Sequence, residues 1–410
     1  MAVNISFCII VKDEEERLLR CLESVRGVVN ETIVVDTGSC DRTIDIARSY
    51  GASVYSFEWC NDFSAARNAS LHYAQGDWVL VLDADEVLVP DIVPALKQVV
   101  ESEQYLVINL LRHEVGASQS PYSMLSRLFR RHPDIAFTRP YHAMIDDRVA
   151  ELLQREPNWR VGHLPEVAIL HEGYRSDVIA ARDKFNKARI TMEGFLETHP
   201  HDPYVCSKLG ALYVQIGQVE TGLELLRRGL RAIHSNANEY PLSNALHDAS
   251  TLYELHYHLG SVYAELHHFN QAEQHYQAAM QQPIPARLKL GAINNLGNIL
   301  KDKGDLQNAV ALYQQALQID PTFSVGYYNL GMTLKAMGRL TDAIAQYKRA
   351  IALNPNYAEA HQNLGVALLK AGQVAESLEA FQSAIARYQQ QGLPAGEQLK
   401  QSLQDMGFRV

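Results

Sequence analysis

A chain of 410 residues, 47% hydrophobic and 20% charged, has soluble-globular composition and is long enough for two domains that each bury a core. Its formal net charge of −10 argues against nucleic acid as a partner, because affinity for a phosphate backbone comes from basic surface. The five cysteines (Cys8, Cys21, Cys40, Cys60, Cys206) are scattered, odd in number and without a Cys-x-x-Cys. They read as reduced thiols of a cytoplasmic protein, not as a disulfide framework or zinc site. Met1 to Val11 is apolar but lacks a basic leader, and no stretch approaches the length of a membrane span.

The apolar run Ile5 to Val11 predicts a strand, and Glu14 to Arg26 a helix with Leu18, Leu22 and Val25 on one face and Gly27 as its cap. Thr32 to Val35 is a second strand, ending in Asp36-Thr-Gly-Ser-Cys-Asp41, where Asp41 is placed to cap the next helix, which ends at Gly51. A short strand over Ser53 to Phe57 and a helix over Ser64 to Ala74 follow. Trp78-Val-Leu-Val-Leu then runs straight into Asp83-Ala-Asp85-Glu86. An unbroken apolar run of this kind suits the middle of a parallel sheet, and the strand–helix alternation predicts right-handed βαβ units. Beyond Pro90 the expected elements are a helix over Asp91 to Glu101 and strands over Tyr105 to Leu111, Met124 to Arg130 and Val167 to Leu170. Asp177 to Leu196 reads as one long helix.

Lys12-Asp13, Asp36 and Asp83-Ala-Asp85 each follow the carboxyl end of a separate strand, and in a parallel sheet those ends line one crevice. Alternation would aim Asp83 and Asp85 the same way, and two convergent carboxylates suit Mg²⁺ or Mn²⁺, which in turn suit a phosphate. Asp36 can accept from the imide of a base, and Arg67, beside Asn68 on the preceding helix, can pair with a diphosphate. The plainer readings are a turn-forming Asp36 and a solvated Arg67. Neither Gly-x-Gly-x-x-Gly after the first strand nor a P-loop is present, so the two commonest nucleotide-binding loops are excluded.

Ile10-Val-Lys-Asp-Glu-Glu-Glu-Arg-Leu, Ile33-Val-Val-Asp-Thr-Gly-Ser-Cys-Asp-Arg-Thr, Asp62-Phe-Ser-Ala-Ala-Arg-Asn and Gly76-Asp-Trp-Val-Leu-Val-Leu-Asp-Ala-Asp-Glu occur in order. Together they resemble family-2 glycosyltransferases of the GT-A fold, and more narrowly the bacterial subgroup with C-terminal tetratricopeptide repeats that includes peptide glycosyltransferases. The resemblance implies that Asp36 contacts the uracil of a UDP-sugar, with Lys12 and Asp13 beside the nucleoside and Arg67 near the diphosphate. It also implies that Asp83 holds the ribose or the metal, that Asp85 ligates the metal, and that His171 completes the metal site. In Arg139-Pro-Tyr-His142-Ala143 the chain departs from the subgroup, where a Glu commonly follows that His. If that Glu is the usual base, the candidates left are Glu86, His142, Asp146 and Glu172.

From Thr198-His-Pro-His-Asp-Pro203 onward the chain repeats itself. Leu-Gly recurs at Leu209, Leu259, Leu296, Leu330 and Leu364, and 34 residues separate each of the last three, the period of tetratricopeptide helix pairs. Gly304, Gly338 and Gly372 share the period, as do Ala316, Ala350 and Ala384, and the aromatics Tyr313, Tyr347 and Phe381, expected to fill the gap between neighbouring pairs. The unit at Leu259 has His267 where glycine is expected, and the one at Leu209 has Gly222 and Gly229 where alanines are expected. Extra chain (Ser235 to Ala249) separates those two units. Asn295, Asn329 and Asn363 recur at the same interval and are placed to line a concave groove as amides for an extended peptide.

The expected architecture is a mainly parallel, Rossmann-like α/β GT-A domain over 1–196, a linker over 197–203, a solenoid of four to five repeats over 204–390, and a tail or capping helix over 391–410. The expected activity is metal-dependent, inverting transfer of a hexose from a UDP-sugar to a peptide or protein. The rival readings are an acceptor that is a lipid-linked or cell-surface glycan, and an inactive sugar-nucleotide-binding scaffold. The repeats are expected to bind a protein partner, with self-association as their other use.

Overall fold

The computed structural model describes residues 3–117, 119–172, 178–235 and 245–408. It divides into two compact units, one of Met1–Leu259 with Gln282–Leu288, the other of Gly260–Gln281 with Lys289–Val410. The first unit therefore runs past the 197–203 linker expected from sequence.

In the first unit the elements alternate as β1 (Ile5–Val11), α1 (Leu18–Ser24), β2 (Glu31–Asp36), α2 (Thr43–Tyr50), β3 (Ser53–Ser56), α3 (Phe63–Tyr73) and β4 (Trp78–Val81). Then come β5 (Glu86–Leu88), α4 (Val93–Val100, after a 3-10 turn over Pro90–Ile92), β6 (Tyr105–Glu114), β7 (Tyr122–Arg130), α5 (Asp146–Arg155) and β8 (Arg160–His171). One eight-stranded sheet forms in the order β3-β2-β1-β4-β7-β6-β8-β5. The first four strands in that order are parallel. Beyond β4 the sheet is mixed: β7 is antiparallel to β4 and β6, β6 is parallel to β8, and β8 is antiparallel to β5.

Period-two alternation sorts each central strand between two cores. Phe7, Ile9, Leu80 and Leu82 pack with Leu18 and Leu22 of α1 on one face. Cys8, Val79 and Val81 pack with Phe129 and with Val149 and Leu152 of α5 on the other. Helices on both faces explain why β1 and β4 are apolar at every position but one, Ser6, which is buried.

Helices α6 (Val178–Thr198), α7 (Pro203–Gln215), α8 (Val219–Ser235) and α9 (Ala245–Glu265) follow. Asp202 caps α7 by accepting from the N–H of Val205, with Pro203 in the first turn. Tyr141 from the sheet domain packs against the cluster of Met192, Leu196, Leu209 and Leu212 on α6 and α7. Gly222 and Gly229 replace the expected alanines because the helices approach too closely. A Cβ on Gly222 would lie 2.7 Å from the Gly210 carbonyl oxygen, and one on Gly229 would lie 2.9 Å from Cys206. Asp177 and most of the stretch Ser235 to Ala249 lie outside the described residues.

The second unit holds α10 (Phe269–Met280), α11 (Leu290–Asp302), α12 (Leu306–Ile319), α13 (Ser324–Ala336), α14 (Leu340–Leu353), α15 (Ala358–Lys370), α16 (Val374–Gln390) and α17 (Ala395–Asp405). Its seams repeat one contact. A Cβ on Gly297 would lie 2.7 Å from the Tyr313 ring, on Gly331 2.8 Å from Tyr347, and on Gly365 2.7 Å from Phe381. Each aromatic thus lies on the glycine of its own helix pair, a refinement of the expected gap-filling role; Tyr313 and Tyr347 also share a core with Leu330 and Leu334. Gly304, Gly338 and Gly372 take left-handed φ angles of 85°, 78° and 81°. His267 adopts the same conformation, with φ 58°, at the position where its repeat lacks glycine.

The asparagine series is engaged inside the helical array. Asn295 donates to the Tyr276 hydroxyl at 3.3 Å and Asn329 to Asn294 at 2.8 Å, both buried. Asn363 donates to the Tyr328 hydroxyl and accepts from Lys335. This corrects the expected ladder of amides presented to a peptide, because the amides already bridge neighbouring helices.

Candidate active site

The crevice at the carboxyl ends of the parallel strands is knitted together by side chains. Asp36, 4% exposed at the end of β2, accepts from the N–H groups of Gly38 and Ser39. Asp13 takes a left-handed backbone (φ 54°), accepts from the Cys40 N–H and donates its own N–H to the Ser39 hydroxyl oxygen. Lys12 beside it is exposed. These bonds fold the loops after β1 and β2 into one rim.

Asp83 and Asp85 do not share one aim. The strand ends before them, and the Glu86 N–H returns to the Asp83 carbonyl at 3.0 Å, so the pair lies in a tight turn. Alternation therefore fails where extended geometry ends. Asp83 faces Arg67, which donates across 2.5 Å, and Arg127 of β7, which donates across 2.8 Å. Burial would raise its pKa, but Arg127 and Arg67 hold it well below the usual carboxylate range. Both arginines keep a buried Nη1 with no hydrogen-bond partner among the described residues. Asn68 turns the other way, donating to the Phe137 carbonyl at 3.0 Å and accepting from the Phe137 N–H at 2.7 Å. Its amide is consumed in pinning that segment, which argues against a nucleotide contact.

Asp85 faces His171 instead. Register brings His171 of β8 opposite Glu86 on one side and Glu114 of β6 on the other. Its Nε2 lies 3.2 Å from Asp85 and its Nδ1 2.5 Å from Glu114. Burial lowers the imidazole pKa, but hydrogen bonds to Asp85 and Glu114 outweigh it and raise it to about 9. Glu114 is in turn held at about 2: burial raises it, while the bond to His171 and the charge of Arg112 lower it further. Arg112 ties Glu114 to the fully buried Glu86, at 2.7 Å from each. Arg112, Glu114 and Arg127 were given no role by reading the sequence; their one signal is charge within strands that are largely buried.

A metal carried by Asp83, Asp85 and His171 together does not fit, because both Asp83 oxygens meet arginines. Asp85 and His171 do fit one. Glu114 fixes the ring through Nδ1 and leaves Nε2 toward Asp85, the second-shell arrangement of many metal-binding histidines. A divalent cation between them would replace the charge of the imidazole proton. Among the described residues no three His, Cys, Asp or Glu side chains could enclose an ion alone, so phosphate oxygens and water would complete the shell.

The four candidate bases differ sharply. Glu86 is enclosed under Arg112, and Glu172 lies in a surface pair with Arg20 at 2.5 Å. Asp146 is buried and accepts from Ser126. His142 is exposed on the loop before α5.

A mixed α/β sheet with this acidic carboxyl edge, followed by helical repeats, defines an α/β domain joined to a repeat domain. The model of glycosyl transferase family 2 matches residues 6–162, and tetratricopeptide repeat models match 297–338, 331–372 and 359–390. The chain belongs to the family-2 glycosyltransferases that carry C-terminal tetratricopeptide repeats. It is 42% identical to a TPR repeat-containing protein of Synechococcus elongatus over 78% of this chain and 76% of that one. It is 25% identical to the SPbeta prophage-derived glycosyltransferase SunS of Bacillus subtilis, over 54% of this chain and 52% of SunS. An uncharacterized glycosyltransferase of Rickettsia bellii is 30% identical over 31% of this chain and 46% of its own length. Among the described residues no helix is long and apolar enough to cross a membrane.

Proposed function

We propose that this glycosyltransferase moves a hexose from a UDP-sugar, with inversion and with a divalent cation, to a side chain of a peptide or protein. The observation that carries the reading is the pairing of Asp85 with His171 at the carboxyl edge, backed by Glu114 at 2.5 Å. When bound, Mg²⁺ or Mn²⁺ would offset the charge developing on the diphosphate leaving group.

The chain's own residues supply the rest. Asp36 keeps its carboxylate at the rim of the nucleoside side, where it can accept from the uracil imide while its turn bonds fix its direction. Lys12 and Asp13 border the same rim. Arg67 and Arg127 hold Asp83 rigidly and bring two positive charges to this edge, a field that would favour a diphosphate. Protein repeats beside a transferase favour a polypeptide acceptor, because stacked helix pairs offer an extended binding surface.

The test is UDP release from a panel of UDP-hexoses with Mn²⁺ or Mg²⁺, with and without peptides. Release that needs a metal and rises with a peptide supports the reading. Transfer only to a lipid-linked glycan, or turnover indifferent to chelation, overturns the acceptor or the metal respectively.

A further inference from the structure

Beside the charged crevice the first unit carries a group of partly exposed aromatic side chains, gathered at the start of α3. Phe63, the first residue of that helix, is 36% exposed. The Trp59 ring meets it edge to face, with centroids 4.8 Å apart and planes at 70°, and the Tyr141 ring does the same at 5.6 Å and 79°. Trp59 is half-buried and donates its indole N–H to Asn61 at 3.1 Å, so its one polar atom is satisfied. The Tyr141 hydroxyl makes no hydrogen bond among the described residues.

A chain of contacts places this group at the charged edge. Helix α3 follows β3 and so begins at the carboxyl ends of the parallel strands. Arg67 stands four residues beyond Phe63 on the same helix face, about 6 Å along the axis. It reaches Asp83 at 2.5 Å and lies over the Phe137 ring at 5.4 Å. Helical side chains lean toward the helix N-terminus, so the Arg67 guanidinium points toward the level of Phe63. The segment after β7 runs beside α3 in the opposite direction: Phe137 is bonded to Asn68, and Pro140 accepts from the Phe63 N–H at 2.9 Å. The rings therefore border the mouth of the crevice on the side of Arg67.

They are also held in place. A β-bridge between Thr138 and Met144 closes the loop that carries Tyr141, and Arg139 within that loop is bound to Asp147 and Asp202. Among the described residues five other than glycine hold left-handed backbones, and three of them, Asn61, Arg139 and His142, flank these rings. Such angles persist where the surroundings impose them, and they gather at ligand sites.

We propose that Trp59 and Phe63, backed by Tyr141, form the platform on which the donor's hexose lies. This assignment rests on the nucleotide-sugar reading above, in which the nucleoside, the diphosphate and the metal have partners in the chain and the hexose has none. The face of an aromatic ring is negative and a pyranose presents C–H bonds on its own face, so the two attract. An anionic linker followed by a neutral ring matches the order of the groups here: Arg67 and Arg127 at Asp83, then the aromatic side chains. The acceptor fits less well as the occupant. Inversion brings it to the side of the anomeric carbon opposite the diphosphate, away from Arg67, whereas the hexose is tied to the diphosphate by one bond.

The test is equilibrium binding to the full chain of UDP, UDP-glucose, UDP-galactose and UDP-N-acetylglucosamine, by calorimetry with Mg²⁺ and no acceptor. The sugar nucleotide that wild type binds most tightly is then measured with the variants. Trp59→Leu and Phe63→Leu keep an apolar side chain and remove the aromatic face. Each should weaken binding of that donor by about two- to tenfold while UDP binds as to wild type, which also shows that the variants are folded. Trp59→Phe, which keeps a face, should retain most of the affinity.

Donor affinity equal to wild type in either leucine variant overturns the platform, and a fall in peptide transfer alone would assign the rings to the acceptor instead. Equal losses for UDP and for the donor would make the rings structural and overturn it as well. So would a loss in Trp59→Phe as large as in Trp59→Leu. If wild type binds UDP and none of the three sugar nucleotides, the platform fails while the nucleotide site stands. A wild type that binds neither refutes the nucleotide-sugar reading itself, and the platform with it.

Discussion

Arg127 on the antiparallel strand β7 donates to Asp83, at the end of the parallel strand β4, across 2.8 Å. The bond joins the two halves of the sheet at the point where its direction changes. Arg127→Met should destabilise the first unit by about 1–3 kcal/mol, less than a fully buried pair because the Asp83 side chain is 34% exposed. Urea unfolding followed by circular dichroism measures it, and a change below a few tenths would mean that Arg67 alone satisfies Asp83.

Asn68 makes a different demand. With both ends of its amide bonded to Phe137, Asn68→Ala should cost about 1–3 kcal/mol of stability while leaving UDP affinity unaltered. A variant of normal stability that binds UDP weakly would return Asn68 to the nucleotide site.

Asp85→Asn should abolish metal-dependent turnover and leave the fold intact, because an amide cannot supply the missing ligand charge. His171→Gln should weaken metal affinity by about 10–100-fold or more, and Glu114→Gln by a smaller factor within that range. Titration with Mn²⁺ followed by UDP release reads all three. Equal midpoints in wild type and Asp85→Asn would remove the metal from this edge.

Acid should act through His258. Burial lowers its pKa from 6.5 to about 4, with Glu254 raising it and Lys208 lowering it. The unfolded chain therefore takes up this proton before the folded one does. Stability contributed by the neutral ring is intact above pH 6.5, falls as pH drops toward 4, and declines no further below that. Comparing Tm across that window, His258→Gln should fall less steeply than wild type. Parallel curves would show that the ring titrates normally.

His267→Gly should stabilise the second unit. The left-handed φ of 58° costs a histidine more than a glycine, and the three sister positions at 304, 338 and 372 are glycines. A gain of about 0.5–1 kcal/mol in denaturant unfolding is expected, reduced by the greater freedom of glycine in the unfolded chain.

How much could be read in advance varied with the range of the interaction. The repeats were legible because Leu-Gly and its partner aromatic recur at one interval, and a period survives whatever the rest of the sequence does. Strands β1 and β4 were legible because burial on both faces leaves a nearly unbroken apolar run. By contrast, β5 is three residues long and pairs with β8 more than eighty residues away, so no local pattern announces it. The same holds for the partners of His171 and Asn68, which lie 57 and 69 residues away in Glu114 and Phe137. Asp36 was visible as a turn residue and buried as one. Asp83 and Asp85 were read as convergent because a strand was carried one turn too far.

The contact of a ring on a glycine, repeated at Gly297, Gly331 and Gly365, has a consequence for how this chain can change in length. Each such joint has the same shape, so one helix pair can be copied or removed and the flanking faces still match. A single added residue within a helix has no such freedom, since it rotates the glycine off its ring and puts a Cβ-bearing neighbour there. The repeat count is therefore open to drift in steps of 34, while the register inside each step is closed. A lineage could lengthen or shorten the array while every remaining joint keeps its fit.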